Sequence, residues 1–489
     1  MILKKTLLLA RRTDFFSRIF AVALVVTSFT FALPVLGGVA EVSSPTTTSK
    51  AVVQKKAEPN PLCFADGKLC IDIQNRLRFE GRNNTFDFSD VDSVTDDAFL
   101  LQRFRIGITF KPVEWLRFYA QGQDAQEWGS DRADIVGVMG AEGDDNFDLR
   151  QAYVQIGPKS FNLTLGRQQL AYGDERLVGI GEWNNVTRTW DAVRLQLIQP
   201  KFSVDLFAGS IVNIYRDSID LSDLFNGSET HRDQIFSGIY ASTSVVDFQV
   251  MDFYLFALDQ EVPNPTAPAI TSPATFTGVS GKRTDFVTLG TRIKGDPKKL
   301  HGWDYEGEFA FQTGQVADLD LTAFALHAGA GYLFPCAWKP RLFFEYNFAT
   351  GDDDATDGDI ETFQNLFPSN HKFYGYMDLF SWQNLHNPAL TVRAQPTKQL
   401  TLEGAVHGFW LATTDDAWYR ANGVTKVRPI TPSANSFVGS EIDLVATYKP
   451  VKWLTLLAGY SHFFSGDYVH DTGPDDDADF GYVQALMAF

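Results

Sequence analysis

Arginine carries the most pointed chemistry in this chain. Arg167, Arg176, Arg188 and Arg194 fall within residues 166–194, with Asp174 and Asp191 among them. Others stand on segments of alternating polarity: Arg76, Arg78, Arg103, Arg105 and Arg117 early, then Arg292, Arg341 and Arg393. A guanidinium stays charged, and its planar fork donates two parallel hydrogen bonds to a carboxylate. Arginines lining a water-filled lumen with low-dielectric walls attract anionic solutes. The competing reading is structural. Asp72, Glu80, Asp205, Glu306, Glu308, Glu345, Glu403, Glu441 and Asp443 are placed to pair with them and stiffen a wall.

Other chemistry is thinner. Two acidic stretches crowd oxygen ligands of the kind calcium prefers, and Asp352, Asp354, Asp475 and Asp477 are the candidates. Neither stretch has a recognised loop spacing, so solvated acidic loops and no metal are expected. The eight histidines are scattered without metal-ligand spacing. There is no nucleophile motif and no phosphate loop, so neither an enzyme nor a cofactor is expected. Cys63 and Cys70 stand close enough for a small disulfide loop in an oxidising compartment, and Cys336 is expected to be free.

The elements that hold these residues alternate at period two. Phe104, Ile106, Ile108 and Phe110 interleave with Arg103, Arg105 and Thr109. Leu116, Phe118 and Ala120 do so with Arg117, Tyr119 and Gln121, and Ile442, Leu444 and Ala446 with Glu441, Asp443 and Thr447. Such runs are half-buried strands, long enough to cross a bilayer at a tilt. Short turns fall near Pro112, Pro158, Pro200, Val245, Lys298, Pro335, Pro396 and Pro450, with longer polar loops between them. That makes eight turns, nine loops and eighteen strands. An antiparallel transmembrane β-barrel with short periplasmic turns and long extracellular loops follows. Lipid offers no partner to an open sheet edge, so the sheet must close. Trp115, Trp303, Trp338 and Trp453 sit beside turns, where an aromatic girdle belongs. Placing apolar residues outward concentrates bases on the first three strands and acids mostly on strands eleven to sixteen, predicting a positive lumen arc facing a more negative one.

Residues 1–40 read as an export signal: a basic start, an apolar run from Ile19 to Leu36, and small residues at Gly38-Val39-Ala40. Residues 41–70 read as a periplasmic leader and 71–489 as the barrel. The formal charge is −18, and the signal carries five bases against one acid, so the remainder stands near −22. That excludes a nucleic-acid binder, which needs a basic face. The chain ends on Phe489, resembling the signal by which outer-membrane barrels are recognised by their assembly machinery.

The stretch GRQQLAYGDERLVGIGEWNNVTRTWDAVR at 166–194 resembles the alginate export family of outer-membrane porins, at Gly166, Arg167, Gln168, Tyr172, Gly173, Asp174, Arg176, Leu177, Gly179, Trp183, Asn184, Arg188, Asp191 and Arg194. A second match is LFPSNHKFYGYMD, at Leu366, Phe367, Pro368, His371, Tyr374, Gly375, Tyr376 and Asp378. The resemblance implies an eighteen-stranded monomeric barrel whose narrow electropositive constriction selects uronate polymers. It carries over Arg167, Arg176, Arg188 and Arg194, with Asp174 and Asp191 as orienting partners. Gly173 and Gly179 are expected to permit a sharp turn. The expected function is passive, selective diffusion of an anionic, alginate-like polysaccharide across the bacterial outer membrane, through a lumen lined by Arg76, Arg103, Arg105, Arg117 and the motif arginines. A general porin for small anionic or neutral solutes is the alternative, and an adhesion barrel a third reading. Outer-membrane lipid, lipopolysaccharide and a periplasmic export component are the further expected partners.

Overall fold

The structure is a computed structural model, and it describes residues 62–91, 96–131, 145–212, 234–261, 282–423 and 426–489. The signal and most of the leader lie outside the described residues. Eighteen long antiparallel strands form one sheet. They are β1 Leu69–Asn83, β2 Asp97–Val113, β3 Leu116–Trp128, β4 Asp145–Ile156, β5 Phe161–Gln168 and β6 Trp190–Ile198. Next come β7 Phe202–Ile211, β8 Gln234–Thr243, β9 Gln249–Glu261, β10 Arg283–Gly295, β11 Trp303–Val316 and β12 Leu319–Leu333. The last six are β13 Arg341–Ala349, β14 Leu385–Ala394, β15 Leu400–Trp410, β16 Phe437–Val451, β17 Leu454–Ser465 and β18 Ala478–Ala488. Each pairs with its neighbours in sequence, and β18 pairs back onto β1 from Gln74↔Ala488 to Asn83↔Asp479. The sheet therefore closes, as lipid requires of any spanning sheet. All eight expected short turns join consecutive strands at the expected places.

The two faces obey the sequence alternation. Ile108, Phe110, Phe118, Val193, Leu206, Ile239, Phe253, Leu289, Phe344, Val406 and Leu444 are exposed on the outside. Inward neighbours such as Arg76, Arg78, Arg103, Arg105, Asp205, Asp252, Glu308 and Asp443 are buried. Trp115, Trp303 and Trp338 are exposed at periplasmic turns. The C-terminus is anchored there too. Phe489 exchanges two backbone hydrogen bonds with Ile73 (2.9 and 3.2 Å), and its ring stacks on Trp453 at 5.5 Å. Cys63 and Cys70 form the expected disulfide, on a two-residue strand paired with the start of β1. Cys336 is free and exposed.

The upper lumen is packed rather than open. Segments 169–189, 350–384, 411–423 and 426–436 fold inward and bring Leu170, Leu177, Phe367, Met377, Phe380 and Trp418 into one apolar cluster with wall residues such as Trp190, Phe236 and Phe463. Burying such rings removes apolar surface from water, at roughly 25 cal/mol per Å², and so holds the loops inside the barrel.

Candidate functional site in the lumen

The buried arginines clamp the β5–β6 loop. Arg76 donates to the carbonyls of Glu182 and Trp183 (both 2.9 Å) and to Asn184 O (3.1 Å) and Asn185 Oδ1 (3.0 Å). Arg103 bonds the Glu182 carboxylate and the Asn184 carbonyl (2.9 Å). Arg105 Nη1 reaches Glu182 Oε1 at 2.9 Å, and its Nη2 donates to Thr187 Oγ1 at 2.8 Å. Arg150 Nε donates to the same hydroxyl at 2.7 Å. Arg78 lies over the Trp183 ring at 3.8 Å. Burial by itself raises the Glu182 carboxyl, but the fields of Arg103, Arg105, Arg150 and Arg76 outweigh it and hold the group well below the usual carboxylate range.

A second loop locks onto the first. Phe367 and Val178 form a parallel bridge, and Ser369 Oγ donates to Glu175 Oε2 at 2.7 Å. Arg188 Nη1 donates to the carbonyls of Gly179 and Phe367, both at 2.6 Å. Burial pushes the Arg188 guanidinium down to about 10, opposed by Glu175. Arg176 bonds Asn347 Oδ1 (3.2 Å) and the Tyr374 hydroxyl (3.1 Å), with Glu308 at 3.7 Å. The rings of Trp183 and His371 stack at 3.6 Å. Gly173 takes φ +60°, as a sharp turn demands. Gly179 is needed for a different reason: a Cβ there would meet Ser369 Oγ at 2.4 Å, so glycine admits the second loop.

Other cations face water. Lys294 on β10 reaches Glu306 at 2.9 Å and Asp174 at 3.2 Å, with the lysine 40% exposed against 19% and 29%. Arg341 pairs with Asp304 at 2.7 Å, 27% against 5%. Arg194 pairs with Asp205, 20% against 9%. Lys372, on the inserted loop, faces Glu175 at 3.6 Å, 45% against 15%. Arg393 faces Glu403 at 3.8 Å, 59% against 26%. In all five arrangements the base is the partner nearer water, whereas Glu182 is more open than Arg103 and Arg105 and Asp174 more open than Arg292, so the accessible charge of the lumen is mixed.

The expected site residues therefore divide. Arg76, Arg103 and Arg105 point inward, but they are bonded to a loop instead of forming an open positive arc. The acids of β11–β16 likewise do not form a free negative arc. Glu306 and Asp304 hold cations, Glu403 accepts from the Tyr376 hydroxyl at 3.1 Å, and Glu441 accepts from Met377 N at 3.0 Å. Arg176 and Arg188 sit inside the plug. Arg194 and Arg117 face the lumen. Asp174 holds Arg292 and Lys294 instead of a motif arginine. Arg167 and Asp191 do pair (3.0 Å), but they do so on the outer face. Trp190, Ala192 and Arg194 point inward, so Asp191 between the first two points outward, and Arg167 lies directly across from it. The candidate calcium carboxylates accept hydrogen bonds from their own loops, as from Asp354 N to Asp352 Oδ1 and Ser465 N to Asp477 Oδ1. Among the described residues no cluster of three metal-ligating side chains exists.

Sequence reasoning missed Arg150, Glu182, Lys294 and Lys372. Arg150 sits at a bulge, where the register slips between Gln121 and Gly122 and the alternation is interrupted. Glu182 lies inside the 166–194 motif, and its place among the four arginines of that stretch was the available signal.

A closed eighteen-stranded barrel with a greasy exterior and a polar, partly plugged lumen defines a bacterial outer-membrane channel. The sequence profile described as alginate export matches residues 68–483, and the chain belongs to that family. Similar solved structures come from Pseudomonas aeruginosa. OccK9 (OpdG) is 12% identical with a TM-score of 0.56, covering 86% of this chain and 98% of that one. OccK11 (OpdR) is 10% identical with a TM-score of 0.55, covering 86% and 96%. OprD is 12% identical with a TM-score of 0.53, covering 86% and 95%. At such identities the likeness concerns the fold. No curated protein matches the sequence.

Proposed function

We propose that the channel passes an anionic polysaccharide, an alginate-like uronate polymer, by selective passive diffusion. One observation carries this reading: in six lumen ion pairs, made by five bases, the cation is the partner more open to water. A low-dielectric wall strengthens that field at the path of a solute, and arginine forks suit carboxylates. The motif loop, clamped by Arg76, Arg103 and Arg105, narrows the path, which favours an extended chain over a bulky solute. Assembly through β18 and Phe489, a monomeric state, outer contacts with lipopolysaccharide and a periplasmic export component complete the proposal.

Planar-bilayer recording tests it. Reversal potentials under a salt gradient should show anion preference, and uronate oligomers should block the current. Cation-selective current indifferent to uronates would sink this reading. A second reading, uptake of small anionic or neutral solutes, is favoured by the narrowness of the plugged lumen. It draws support from Pseudomonas aeruginosa OpdK, a barrel of like fold whose structure was solved with vanillate (11% identity, TM-score 0.52). It predicts permeation by small carboxylates without block by oligomers.

A further inference from the structure

The two rims of the barrel carry opposite charge. Fourteen lysines fall in the described residues, and ten of them stand at the periplasmic turns or on the disulfide hairpin beside them. Seven of the eight turns carry one or two, from Lys111 and Lys159 at the start of the barrel to Lys449 and Lys452 at its end. The hairpin adds Lys68, whose carbonyl accepts from Lys111 N at 2.7 Å. All ten residues are exposed. Four acids share this rim: Asp66, Glu114, Asp247 and Asp296. Among the described residues, one of the ten lysines makes an ion pair, Lys201 with Asp247 at 3.4 Å, and both of those side chains are more than half exposed. Such a pair holds its charges weakly. The far rim is the reverse. Residues 350–361 hold five aspartates and a glutamate, and 466–477 five aspartates, with neither lysine nor arginine in either stretch.

The protein itself therefore leaves the periplasmic ring of charge almost unneutralised, although the chain as a whole is acidic. Two further observations say what neutralises it. Trp115, Trp303 and Trp338 are exposed at the same turns, and exposed tryptophan marks the headgroup level of a bilayer. The choice of base is also specific. No arginine stands in the segments that join consecutive strands at this rim, whereas arginine is the base that this lumen pairs with carboxylates. Lysine is a compact point charge on a long flexible stem, which lies along apolar surface while its ammonium reaches a phosphate. The ring also follows the whole circumference, as the surrounding lipid does, and a solute meets only the mouth.

We propose that the periplasmic rim is a collar for anionic phospholipid headgroups, with the lysines on the lipid phosphates and the tryptophans at the level of the glycerol. The collar binds lipid of the periplasmic leaflet, and the acidic opposite rim does not.

The test uses the full-length refolded channel in phosphatidylcholine vesicles. Electron paramagnetic resonance reads how much spin-labelled phosphatidylglycerol, against spin-labelled phosphatidylcholine, is immobilised at the protein. The wild type should prefer phosphatidylglycerol about fivefold at low salt, the scale of one lysine facing one anionic headgroup. The preference should shrink as salt screens it. Lys159→Gln, Lys201→Gln, Lys298→Gln and Lys398→Gln together should roughly halve it, in keeping with about one such contribution per lysine. Lysine to arginine at the same four positions should keep it. Lys282→Gln with Lys426→Gln, away from the collar, should leave it unchanged. Equal immobilisation of the two lipids by the wild type would overturn the collar, as would a preference that survives the four glutamines. Loss of block by trigalacturonate in the four-glutamine channel, with the lipid preference intact, would assign the ring to solute entering the mouth and overturn it as well.

Discussion

Two sets of basic residues share one lumen and do opposite work. On β1, β2 and β4, Arg76, Arg103, Arg105 and Arg150 are buried and face a single carboxylate, Glu182, which is itself 44% exposed. On β10, β13 and β14, Lys294, Arg341 and Arg393 are the exposed partners of more deeply buried acids. In the first set the protein supplies the ligand, a loop of its own chain. In the second the base is the member of the pair more open to water. An arginine facing the lumen is thus not by itself a selectivity residue. What decides is which member of the pair water can reach.

The most disruptive way to break the comparison is Glu182→Ala. It strips the clamp of its anion and leaves four buried guanidinium groups crowded together. Breaking a fully buried pair costs about 3–5 kcal/mol, and the partial exposure of Glu182 reduces that to roughly 2 kcal/mol. The loop should loosen, and single-channel conductance should rise. Unchanged conductance would mean that the clamp does not constrict the path.

Lys294→Glu combined with Arg393→Glu comes next. Both groups are water-facing, so folding should be nearly unaffected, within about 1 kcal/mol. The reversal potential should move toward cation selectivity. An unmoved potential would place the selective step elsewhere.

A pH series sharpens the difference further. The Glu182 carboxyl titrates lower when folded than when unfolded, so its contribution is complete above the ordinary glutamate value of about 4.3. It fades as the pH falls below that value, toward the depressed folded value. Conductance should therefore be flat from about pH 8 to 5 as far as the clamp is concerned, and rise only in stronger acid. A rise already at neutral pH would point to a different latch.

The smallest expected effect is that of Arg167→Met with Asp191→Leu. The pair stands on the outer face, so selectivity should not change. Replacing both members of a desolvated pair by apolar groups is close to neutral for stability. A shifted reversal potential would return these residues to the solute path.

The barrel was legible in the sequence because lipid and water impose it residue by residue. The strand pairings run between neighbours, and the turns are marked locally at positions such as Pro158, Pro200 and Lys298. The outward placement of Asp191 was legible too. It lies three residues before the inward-facing Arg194, an odd number, which sets the two on opposite faces. The motif pulled it inward against that alternation. The clamp was not legible. Arg76 and Arg103 meet the carbonyl of Glu182 across 106 and 79 residues, and no local pattern encodes which way a polar loop folds. Arg150 was hidden by the bulge that turns it inward.

The closing seam between β1 and β18 does two jobs at once. Its pairing leaves the cylinder without an open edge. The segment around Trp183 is gripped from β1 and β2, and Tyr482 of β18 stands edge-on to the Trp183 ring at 4.9 Å. The stopper therefore leans on both strands of the seam, so whatever loosens that joint in the wall also loosens what the wall encloses.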